Sequence, residues 1–491
     1  MKITFIYTDW GKFNANKFNR GVAILSACLK QKGYLTSLIH ISKRVKKEAF
    51  ISSVKSHRPD IIAFSFISTM FPQIKTFSSW LKDLDIPTLY GGMHPTIAPY
   101  ECLDQEGIGT ICVGEGEGAI VDFCQAIEKG TDIKHIPNIW VKEGEKIYKN
   151  PCRALIENLD SLPFADYQLF KYKNLEDCYI NKSLVIQASR GCIYNCTYCC
   201  NPLLRSLYPN KGRFFRHYGV NRLLDEIEYA LKKYPFLKEV RFSDDTLTQD
   251  KNWFKEFAQR YKEKIGLPYS SNERVENINP ETAILLRESG CISLDLGIEN
   301  GNEVVRRNFM NRDISNKRIL ETFRLLRLNN IGTNAFNILG MVGETSQTII
   351  ETIKLNSSAM SNIVFNAYFY PFKGTTAYNM CRERGYPIKE NIRSFFEGPV
   401  VDLDTISKTQ LIFFFNYFYF LMRVYRILWR IFGQEAKVVK VFDRIITNRQ
   451  FPYSVFNFVH LGKEDILILL RKYPDLYVFL RRFYRLIKGV R

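Results

Sequence analysis

Four of the chain's twelve cysteines fall within nine positions, in the stretch Ser189-Arg-Gly-Cys192-Ile-Tyr-Asn-Cys196-Thr-Tyr-Cys199-Cys200-Asn-Pro202. Three of them have the spacing Cys-x3-Cys-x2-Cys, which lets three thiolates surround one corner of a compact soft-metal centre. A structural zinc site usually takes four ligands as two separated pairs, and the sequence has no second pair of suitable spacing. Three thiolates on a four-iron cluster leave one iron open to a substrate. The motif therefore predicts a catalytic iron–sulfur centre on Cys192, Cys196 and Cys199.

The other eight cysteines are scattered along the chain. The N-terminal sequence MKITFIYTDWG reaches Asp9 too early for a secretory signal peptide. A disulfide scaffold is therefore not expected. We interpret these cysteines as small buried apolar residues. They are Cys28, Cys102, Cys112, Cys124, Cys152, Cys178, Cys291 and Cys381.

The cysteine motif follows the first of six strand-like runs in the second half of the chain. These runs are LVIQAS, EVRFSD, LPYSSN, ISLDLGIE, TNAFNILG and NAYFYPF. Each is followed by a loop, and most by a helical stretch, so the pattern predicts a partial (β/α)6 barrel of TIM type over residues 179–395. Chemistry in such barrels takes place at the carboxyl ends of the strands, and the polar motifs of this segment lie there.

Residues 1–135 also alternate between apolar strand-like runs and helical runs. The alternation predicts an α/β domain with an open, doubly wound, Rossmann-like sheet, which binds ligands at the carboxyl ends of its strands. Those ends carry Ser65, Gly91, Gly92, His94, Gly114 and Glu115. Residues 136–178 contain prolines and the hairpin-like piece VKEGEKIY, and we interpret them as a linker.

The cysteine spacing, with Tyr198 before the third cysteine, resembles that of the radical S-adenosylmethionine (SAM) superfamily. Motifs at the later strand ends agree with this resemblance and come in the right order. They are Phe242-Ser-Asp244-Asp245, Asn272 with Arg274, Gly297-Ile-Glu299, Gly340-Met-Val-Gly343-Glu344-Thr345 and Pro371-Phe-Lys-Gly374-Thr375. The turn at Gly340 departs from the family's Gly-Leu-Pro-Gly-Glu-Thr pattern at Met341 and Val342.

The resemblance implies a [4Fe–4S] cluster on Cys192, Cys196 and Cys199, with SAM bound at the open iron. One electron from the cluster splits SAM, and the resulting 5′-deoxyadenosyl radical takes a hydrogen atom from the substrate. The cofactor carries this chemistry, while the barrel supplies orientation. Cys200 lies outside the pattern and is left unassigned. The residues that the resemblance places near SAM are Asp244, Asp245, Asn272, Arg274, Glu299 and Gly340.

The N-terminal domain resembles the cobalamin-binding domain that precedes many radical SAM barrels. The matching segments are 20–34, Pro59-Asp60, Gly91-Gly92-Met-His94-Pro-Thr96 and Gly114-Glu-Gly-Glu117. The motif Asp-x-His-x-x-Gly, whose histidine ligates cobalt in some cobalamin enzymes, is absent, which implies cobalamin without a histidine ligand. Three alternatives stay open: the glycine-rich segment is a phosphate-binding loop, it is merely a tight turn, or the domain persists without cobalamin. The implied cobalamin contacts are Ser65, Gly91, Gly92, Gly114, Glu115 and His94, the last as a loop or tail contact.

Residues 396–491 match no motif and are predicted to form a mostly helical domain that is rich in basic and aromatic residues. The whole chain has 69 Lys and Arg against 50 Asp and Glu, a net charge of +19, and the segment from Leu411 to Arg491 alone has 15 basic and 5 acidic residues. Three interpretations stay open for this tail: a helical cap on the barrel mouth, a peripheral membrane contact and, least favoured, nucleic acid binding. The longest apolar run, Leu411 to Met422, is too short for a membrane-spanning helix.

We therefore expect a cobalamin-dependent radical SAM enzyme, in the first place a methyltransferase that acts on an unactivated carbon. By the resemblance, the methyl group reaches the substrate radical through methylcobalamin. The aromatic and basic tail favours an apolar or amphipathic small-molecule substrate such as a lipid, an isoprenoid or a tetrapyrrole. A reducing partner such as flavodoxin or ferredoxin is implied. The expected location is the cytoplasm, either free or on the cytoplasmic face of the membrane.

Three other functions remain open at this stage. The same cofactors can serve oxidation or ring formation without methyl transfer. A tRNA methylthiotransferase would need a second cluster, hence about eight irons per chain instead of about four. A non-catalytic cobalamin sensor would keep its function in the cell without the three cluster cysteines.

Overall fold

The structure is a computed structural model that describes residues 1–9 and 16–458 of the chain. The segments 10–15 and 459–491, which include the last part of the basic tail, lie outside the described residues. The predicted fold class is confirmed: an N-terminal doubly wound α/β domain is followed by a parallel, barrel-like α/β domain and then by helices.

Seven strands form the N-terminal sheet in the spatial order β2-β1-β3-β4-β5-β6-β7. They are β1 (Lys2–Thr8), β2 (Leu35–Ile41), β3 (Ile61–Ser65), β4 (Thr88–Gly91), β5 (Thr110–Cys112), β6 (Ile139–Glu143) and β7 (Lys146–Lys149). The first five strands are parallel, and β6 and β7 add an antiparallel hairpin beside β5. Because the strand order reverses between β1 and β3, their carboxyl ends form the crevice where such sheets bind ligands.

Helices cover both faces of this sheet. They are α1 (Arg20–Gln31), α2 (Lys47–His57), α3 (Phe71–Leu81), α4 (Met93–Ile97), α5 (Pro99–Leu103) and α6 (Glu117–Lys129). Helices α1 and α6 pack together, and so do α2 and α3. The side chain of Asn19 caps α1 by accepting a hydrogen bond from the backbone N–H of Val22 at 2.9 Å.

The structure does not support residues 136–178 as a simple linker. The hairpin of β6 and β7 belongs to the first sheet, so this domain extends to Lys149. The segment after it packs into the main core, where Phe18 stacks on Tyr167 with ring centroids 5.2 Å apart. Tyr172 donates a hydrogen bond to the backbone oxygen of Ser183 at 3.1 Å, which ties this segment to the first barrel strand. Apolar side chains among the prolines and charges account for this packing.

Six parallel strands form the second sheet in the spatial order β15-β14-β13-β12-β11-β8. The strands of this half are β8 (Ser183–Ile186), β9 (Ser189–Arg190), β10 (Arg216–His217), β11 (Glu239–Phe242), β12 (Tyr269–Glu273), β13 (Cys291–Glu299), β14 (Gly332–Leu339) and β15 (Ile363–Tyr368). Each barrel strand pairs with the next along the chain, while β8 and β15 are the two free edges. The two-residue strands β9 and β10 form a separate antiparallel ribbon beside the cysteine loop.

The helices of this half of the chain precede or follow these strands, as predicted for a partial barrel. They are α7 (Glu176–Tyr179), α8 (Asn201–Ser206), α9 (Val220–Lys233), α10 (Lys251–Lys264), α11 (Pro280–Glu288), α12 (Glu303–Asn308), α13 (Asn316–Leu328), α14 (Ser346–Ala359) and α15 (Thr376–Glu383). The last predicted strand, NAYFYPF, was placed too late, because β15 begins at Ile363 and ends at Tyr368.

Two long helices follow the barrel, α16 (Lys408–Phe432) and α17 (Lys437–Thr447). The buried face of α16 packs against α14 on the flank of the barrel. At the start of α16, Phe415 stacks on Tyr368 at the end of β15, with ring centroids 4.1 Å apart. Among the described residues, α16 is the one helix that is long and apolar enough to cross a membrane by length and composition. Its first turn also reaches the turn after β14, where Leu411 packs against Gly340.

Candidate functional site

The three motif cysteines lie in the loop between β9 and α8. Gly191, just before the first of them, has a φ of +82°, and a Cβ there would lie 2.5 Å from the backbone oxygen of Phe214. Only glycine fits this turn without strain. Cys192, Cys196 and Cys199 all line one cavity of about 440 Å³ at the carboxyl ends of the barrel strands. The loop thus brings three thiols to the edge where the fold places its chemistry.

Donors of hydrogen bonds surround two of these sulfur atoms. Arg274 donates from Nη1 to the Sγ of Cys196 at 3.0 Å. The backbone N–H of Asn201 donates to the Sγ of Cys199 at 3.4 Å, and burial raises the pKa of this thiol to about 11. N–H donors aimed at cysteine sulfur are the outer contacts that adjust a bound iron–sulfur cluster. The donor set therefore fits a cluster held by three thiolates.

Cys200 has different surroundings from its three neighbours. Its side chain is buried in a small apolar cluster with Ile97 and Ala98 of the N-terminal domain. It does not line the cavity that the other three cysteines share. We infer that Cys200 packs against the first domain and takes no part in holding a cluster.

Four of the six residues predicted to contact SAM line the same cavity. They are Asp245, Asn272, Arg274 and Glu299. Asp245 accepts a hydrogen bond from Nδ2 of Asn201 at 3.0 Å, and Asn272 donates to the backbone oxygen of Asp244 at 2.8 Å. Both side chains are thus held in place by neighbours from the cysteine loop and from β11.

Asp244, the fifth predicted residue, is fully buried behind the cavity wall. It accepts hydrogen bonds from the backbone N–H of Ala188 at 2.9 Å and from the hydroxyl of Ser189 at 2.5 Å. Burial raises its pKa to about 6. Asp244 therefore fixes the end of β8 where the chain enters the cysteine loop, and it does not reach the cavity.

Gly340, the sixth predicted residue, forms a turn and does not line the cavity. Its φ is +86°, and the carboxylate of Glu344 accepts hydrogen bonds from the backbone N–H groups of Gly340 and Met341. Burial raises the pKa of Glu344 to about 8. The turn after β14 is thus closed by its own glutamate, despite the departure of Met341 and Val342 from the family pattern.

A network of charges that the sequence analysis did not single out completes the cavity. Arg312 donates to Glu299 at 3.3 Å and to Glu276 at 3.0 Å. Glu299 has a φ of +65°, a left-handed conformation that is rare for a residue other than glycine. Tyr194 lies under the guanidinium of Arg274, 3.7 Å from the ring centroid. The contacts of this network keep Glu299 in its strained backbone conformation, and such strained residues are common in functional sites.

A second cavity, of about 330 Å³, lies at the carboxyl edge of the first sheet. Ser65, Gly91, Gly92, Gly114 and Glu115 line it, as predicted for the cobalamin contacts. The lining also includes residues of β1 and β3, so the cavity lies at the point where the strand order reverses.

The walls of this second cavity combine glycine backbone with apolar side chains. Gly92 has a φ of +100°, and a Cβ there would lie 2.6 Å from the backbone nitrogen of Phe66. The backbone at Gly92 therefore stays bare, while Ile24 and Leu25 give an apolar wall. None of the histidines within the described residues lines this cavity. The residues thus fit cobalamin bound without a histidine ligand.

His94 is not brought to the cobalamin cavity. Its ring is buried, and its Nδ1 lies 3.0 Å from the hydroxyl oxygen of Ser68. Burial, with Lys373 and Lys75 nearby, lowers its pKa to about 3, so the ring is neutral. The motif placed His94 after β4 correctly, but the short helix α4 turns the ring toward α3 and a different cavity. His94 therefore does not line the cavity that the other five residues predicted to contact cobalamin share.

Two family models match this chain. The Radical SAM superfamily model matches residues 186–355, and the B12 binding domain model matches residues 11–123. The chain carries a radical SAM domain and a B12-binding domain. The predicted recognition is confirmed: this radical SAM enzyme carries an N-terminal B12-binding domain, and its cofactors are SAM, a [4Fe–4S] cluster and cobalamin.

Several curated proteins are similar to this radical SAM enzyme. It is 22% identical over 396 residues to an uncharacterized methyltransferase from Pyrococcus horikoshii, covering 80% of this chain and 84% of that protein. It is 25% identical over 379 residues to the anaerobic magnesium-protoporphyrin IX monomethyl ester cyclase of Rubrivivax gelatinosus, covering 72% and 65%. It is 23% identical over 376 residues to the cytidylyl-2-hydroxyethylphosphonate methyltransferase of Streptomyces wedmorensis, covering 68% and 69%.

Solved structures share the two-domain fold. TsrM from Kitasatospora setae, a radical SAM methyltransferase with cobalamin and a [4Fe-4S] cluster bound, has a TM-score of 0.64 at 15% identity, covering 79% of this chain and 76% of that chain. OxsB, a cobalamin-dependent SAM radical enzyme with aqua-cobalamin bound, has a TM-score of 0.66 at 14% identity, covering 100% and 81%. At these identities the similarity concerns the fold.

Proposed function

We propose that this enzyme transfers a methyl group from SAM to an unactivated carbon of an amphipathic small molecule, with cobalamin as the methyl carrier. One observation carries the proposal. The two cavities lie on either side of a single peptide bond, because Gly191 lines the cobalamin cavity and Cys192 lines the cysteine cavity. This proximity supports a reaction in which both cofactors serve one substrate. The methyltransferases among the relatives favour methyl transfer.

When bound, the cluster and SAM supply radical chemistry and cobalamin supplies a methyl donor, while the chain orients them. We propose that Cys192, Cys196 and Cys199 hold the cluster. Arg274 stabilises the sulfur of Cys196 by its hydrogen bond. Glu299 and Asp245 offer carboxylates to the polar groups of SAM.

The inner wall of the barrel is polar on its middle strands. Arg241 donates to Asn272 and to Asp295, each at 2.5 Å, and Asn334 donates to Asp295 at 2.7 Å. These residues come from β11 to β14 and form one connected layer. Asn272 and Asp295 also line the cysteine cavity, so the layer can meet polar groups of a substrate beside SAM.

Beyond Asn334, the last two strands place apolar side chains on the same inner wall. Phe336 and Phe365 stack with ring centroids 5.0 Å apart, although 36% and 42% of their surface remains exposed. Phe336 and Ile338 line the cysteine cavity. Exposed, stacked aromatic rings beside a polar layer favour a substrate with an apolar body and a polar group. This contrast supports the amphipathic class, which includes lipids, isoprenoids and tetrapyrroles.

The proposal is tested in cells with and without the gene, by mass spectrometry of water-soluble and lipid extracts. We expect a species one methyl group heavier in the strain with the gene, and its absence in a strain that carries Cys196→Ala. The strain with Cys200→Ala serves as the matched control and is expected to keep the product. If every gene-dependent species has lost hydrogen and none has gained a methyl group, the methyl-transfer proposal is wrong.

Oxidation or ring formation is the second candidate function. It is favoured by the similarity to a cyclase that uses a tetrapyrrole ester. The same extracts distinguish the two functions, because cyclisation changes the hydrogen count of the product and adds no carbon.

We also propose a peripheral contact with the membrane from the cytoplasmic side. None of the twelve cysteines forms a disulfide bond in the structure, which suits a reducing compartment. Helices α16 and α17 expose apolar side chains next to basic ones, the combination that binds anionic lipid surfaces. The exposed apolar residues include Phe420, Ile427, Ile431, Val438, Val441 and Ile445.

We expect the full chain to sediment with anionic vesicles. The variant Ile427→Ser should sediment with them less, and equal binding of this variant would contradict the proposal.

A further inference from the structure

A further cavity, which we call the interdomain cavity, is lined by residues of both domains. It has a volume of about 410 Å³. Helices α3, α4 and α5 form one side of it, and the turn after β15, α15 and the segment 385–392 form the other. The described residues that line it line neither the cysteine cavity nor the cobalamin cavity. The proposed methyl transfer therefore leaves the interdomain cavity without a role.

The charged side chains of the interdomain cavity have an excess of positive charge. Lys373 forms an ion pair with Glu101 at 2.9 Å, and the Nζ of Lys75 donates a hydrogen bond to the Oδ1 of Asn391 at 2.9 Å. The other charged residues are exposed and form no ion pair with any residue that the structure describes. Four cations against two carboxylates leave an excess of two positive charges, the full set being Lys75, Lys373, Arg382 and Lys389 with Glu101 and Glu390.

His94 brings a buried polar atom without a partner to this cavity. The residue is only 4% exposed, and its Nδ1 lies 3.0 Å from the hydroxyl oxygen of Ser68. Its Nε2 has no hydrogen-bond partner within the described part of the chain and lies 3.6 Å from the Oε2 of Glu101. The ring is neutral, so Nε2 carries a proton when Nδ1 accepts one from the Ser68 hydroxyl. A buried donor of this kind is costly to leave unpaired, and an oxygen of a ligand can satisfy it.

Aromatic rings form much of the remaining wall. Phe71 comes from α3, and Tyr370, Tyr378 and Tyr386 come from the barrel domain. The Nζ of Lys75 lies 5.4 Å from the ring centroid of Phe71, so a cation and an apolar ring share one wall. Such rings favour a ligand with a flat apolar part, and the volume falls within the range of about 300–1,000 Å³ that is usual for small-molecule sites.

We propose that the interdomain cavity binds a phosphate ester of a small ring compound. A phosphate monoester carries a charge of about −1.5 to −2 at neutral pH, which matches the excess of two positive charges. A carboxylate would neutralise only one of them. Arg382 and Lys389 are the exposed cations that meet the phosphate oxygens, and the Nε2–H of His94 donates a further hydrogen bond. Since the walls come from both domains, a bound ligand also stabilises their contact.

The test is isothermal titration calorimetry of the full chain with its cluster, SAM and hydroxocobalamin bound, so that the other two cavities are filled. The ligands are phenyl phosphate, benzoate and inorganic phosphate. We expect one phenyl phosphate to bind per chain and to raise the unfolding temperature, whereas benzoate and inorganic phosphate bind more weakly. Equal affinity for benzoate would overturn the phosphate, equal affinity for inorganic phosphate would overturn the ring, and no binding of phenyl phosphate would overturn the site.

Variants then locate the binding in this cavity. The double variant Arg382→Gln, Lys389→Gln should bind phenyl phosphate about tenfold more weakly, because two cations that meet the phosphate are lost. Arg324→Gln is the matched control, since Arg324 is an exposed arginine on α13 outside the interdomain cavity, and it should bind as the wild type does. His94→Leu should bind more weakly than His94→Gln, which keeps a side-chain N–H.

Unchanged affinity in the double variant would overturn the proposal even if the buried His94 variants fail to fold, because the two cations are exposed and can be replaced without disturbing the core. Equal weakening in Arg324→Gln would also overturn it, since the effect would then come from net charge and not from the cavity. Iron and cobalt contents equal to those of the wild type show that each variant keeps its cofactors.

Discussion

At the scale of single residues, the four neighbouring cysteines show how position decides role. Cys196 lies in the cavity beside Arg274, whereas Cys200 is packed against apolar residues of the other domain. We predict that Cys196→Ala loses the cluster and that Cys200→Ala keeps about four irons per chain after anaerobic reconstitution. Iron and sulfide analysis with absorbance spectra makes the comparison. A loss of iron in Cys200→Ala would show that its surroundings change in the loaded protein.

Glu344 gives a prediction for the dependence of stability on pH. Burial raises its pKa from 4.5 to about 8, so the folded protein keeps a proton that the unfolded chain releases at lower pH. Stability from this residue is therefore full below about pH 4.5 and is lost as the pH rises toward about 8. We expect Glu344→Gln to weaken this decline, since the amide stays neutral and Asn300 can rotate to accept its hydrogen bond.

The measurement for Glu344 is the unfolding temperature as a function of pH. The control is Glu48→Gln, an exposed glutamate in the first turn of α2, which should follow the wild-type curve. A Glu344→Gln curve as steep as that of the wild type would contradict the buried, protonated carboxyl.

At the scale of elements, α16 is held to the barrel by one face only. Phe418 is buried in the cluster with Ile350 and Ile353 of α14, whereas Phe420 is 60% exposed. We predict that Phe418→Ala lowers the free energy of unfolding by about 3–5 kcal/mol, because it leaves a cavity. Phe420→Ala should change it by less than about 0.5 kcal/mol. Urea unfolding of both variants provides the measurement, and equal effects would contradict the docking of α16.

The elements that the sequence predicted well are those with a clear apolar pattern. The barrel strands were found because each is a short apolar run with polar residues at its end. In contrast, β2 has no clear apolar pattern, because Leu35–Ile41 mixes polar and apolar residues in an edge strand that is mostly half-buried. The hairpin of β6 and β7 was predicted from VKEGEKIY, but its pairing with β5 in the first sheet is set by tertiary packing and was not predicted.

The same contrast holds for the candidate site. The cysteines, Asn272 and Glu299 were predictable because the motif spacing and the strand ends place them. Asp244 and Gly340 also follow strand ends, yet one side chain turns into the core and the other residue closes a turn. Arg312 could not be predicted because it lies in no motif, and its contact with Glu299 forms only when the chain has folded.

At the scale of the whole molecule, two sets of ion pairs join the domains around the cobalamin cavity. Arg190, two residues before Cys192, donates to Glu115 at 3.1 Å and to Glu117 at 2.5 Å. Burial alone would raise the pKa of Glu115, but hydrogen bonds and charges from Arg216 and Arg190 lower it. From the other side, Arg20 forms a bidentate pair with Glu226, at 2.7 and 3.0 Å. These ion pairs thus fix the cysteine loop in position relative to the cobalamin cavity.

The ion pairs of Arg190 predict an effect of Arg190→Gln on cobalamin binding. The change leaves buried carboxylates short of a partner beside the cavity, so we expect hydroxocobalamin to bind about tenfold more weakly. Absorbance titration of the purified protein measures the affinity. Lys264→Gln removes an exposed ion pair with Asp225 within the barrel domain and is expected to bind as the wild type does. An unchanged affinity in Arg190→Gln would contradict the claim that these ion pairs shape the cobalamin cavity.

The central claim is that SAM, cobalamin and substrate meet between the two domains for methyl transfer. The most direct test is to incubate the fully reconstituted enzyme with a reductant, cell extract and SAM that carries a trideuterated methyl group. We predict that one product gains an intact trideuterated methyl group, and that this gain disappears without cobalamin or with Cys196→Ala. A SAM-dependent product that carries no deuterium would contradict the claim.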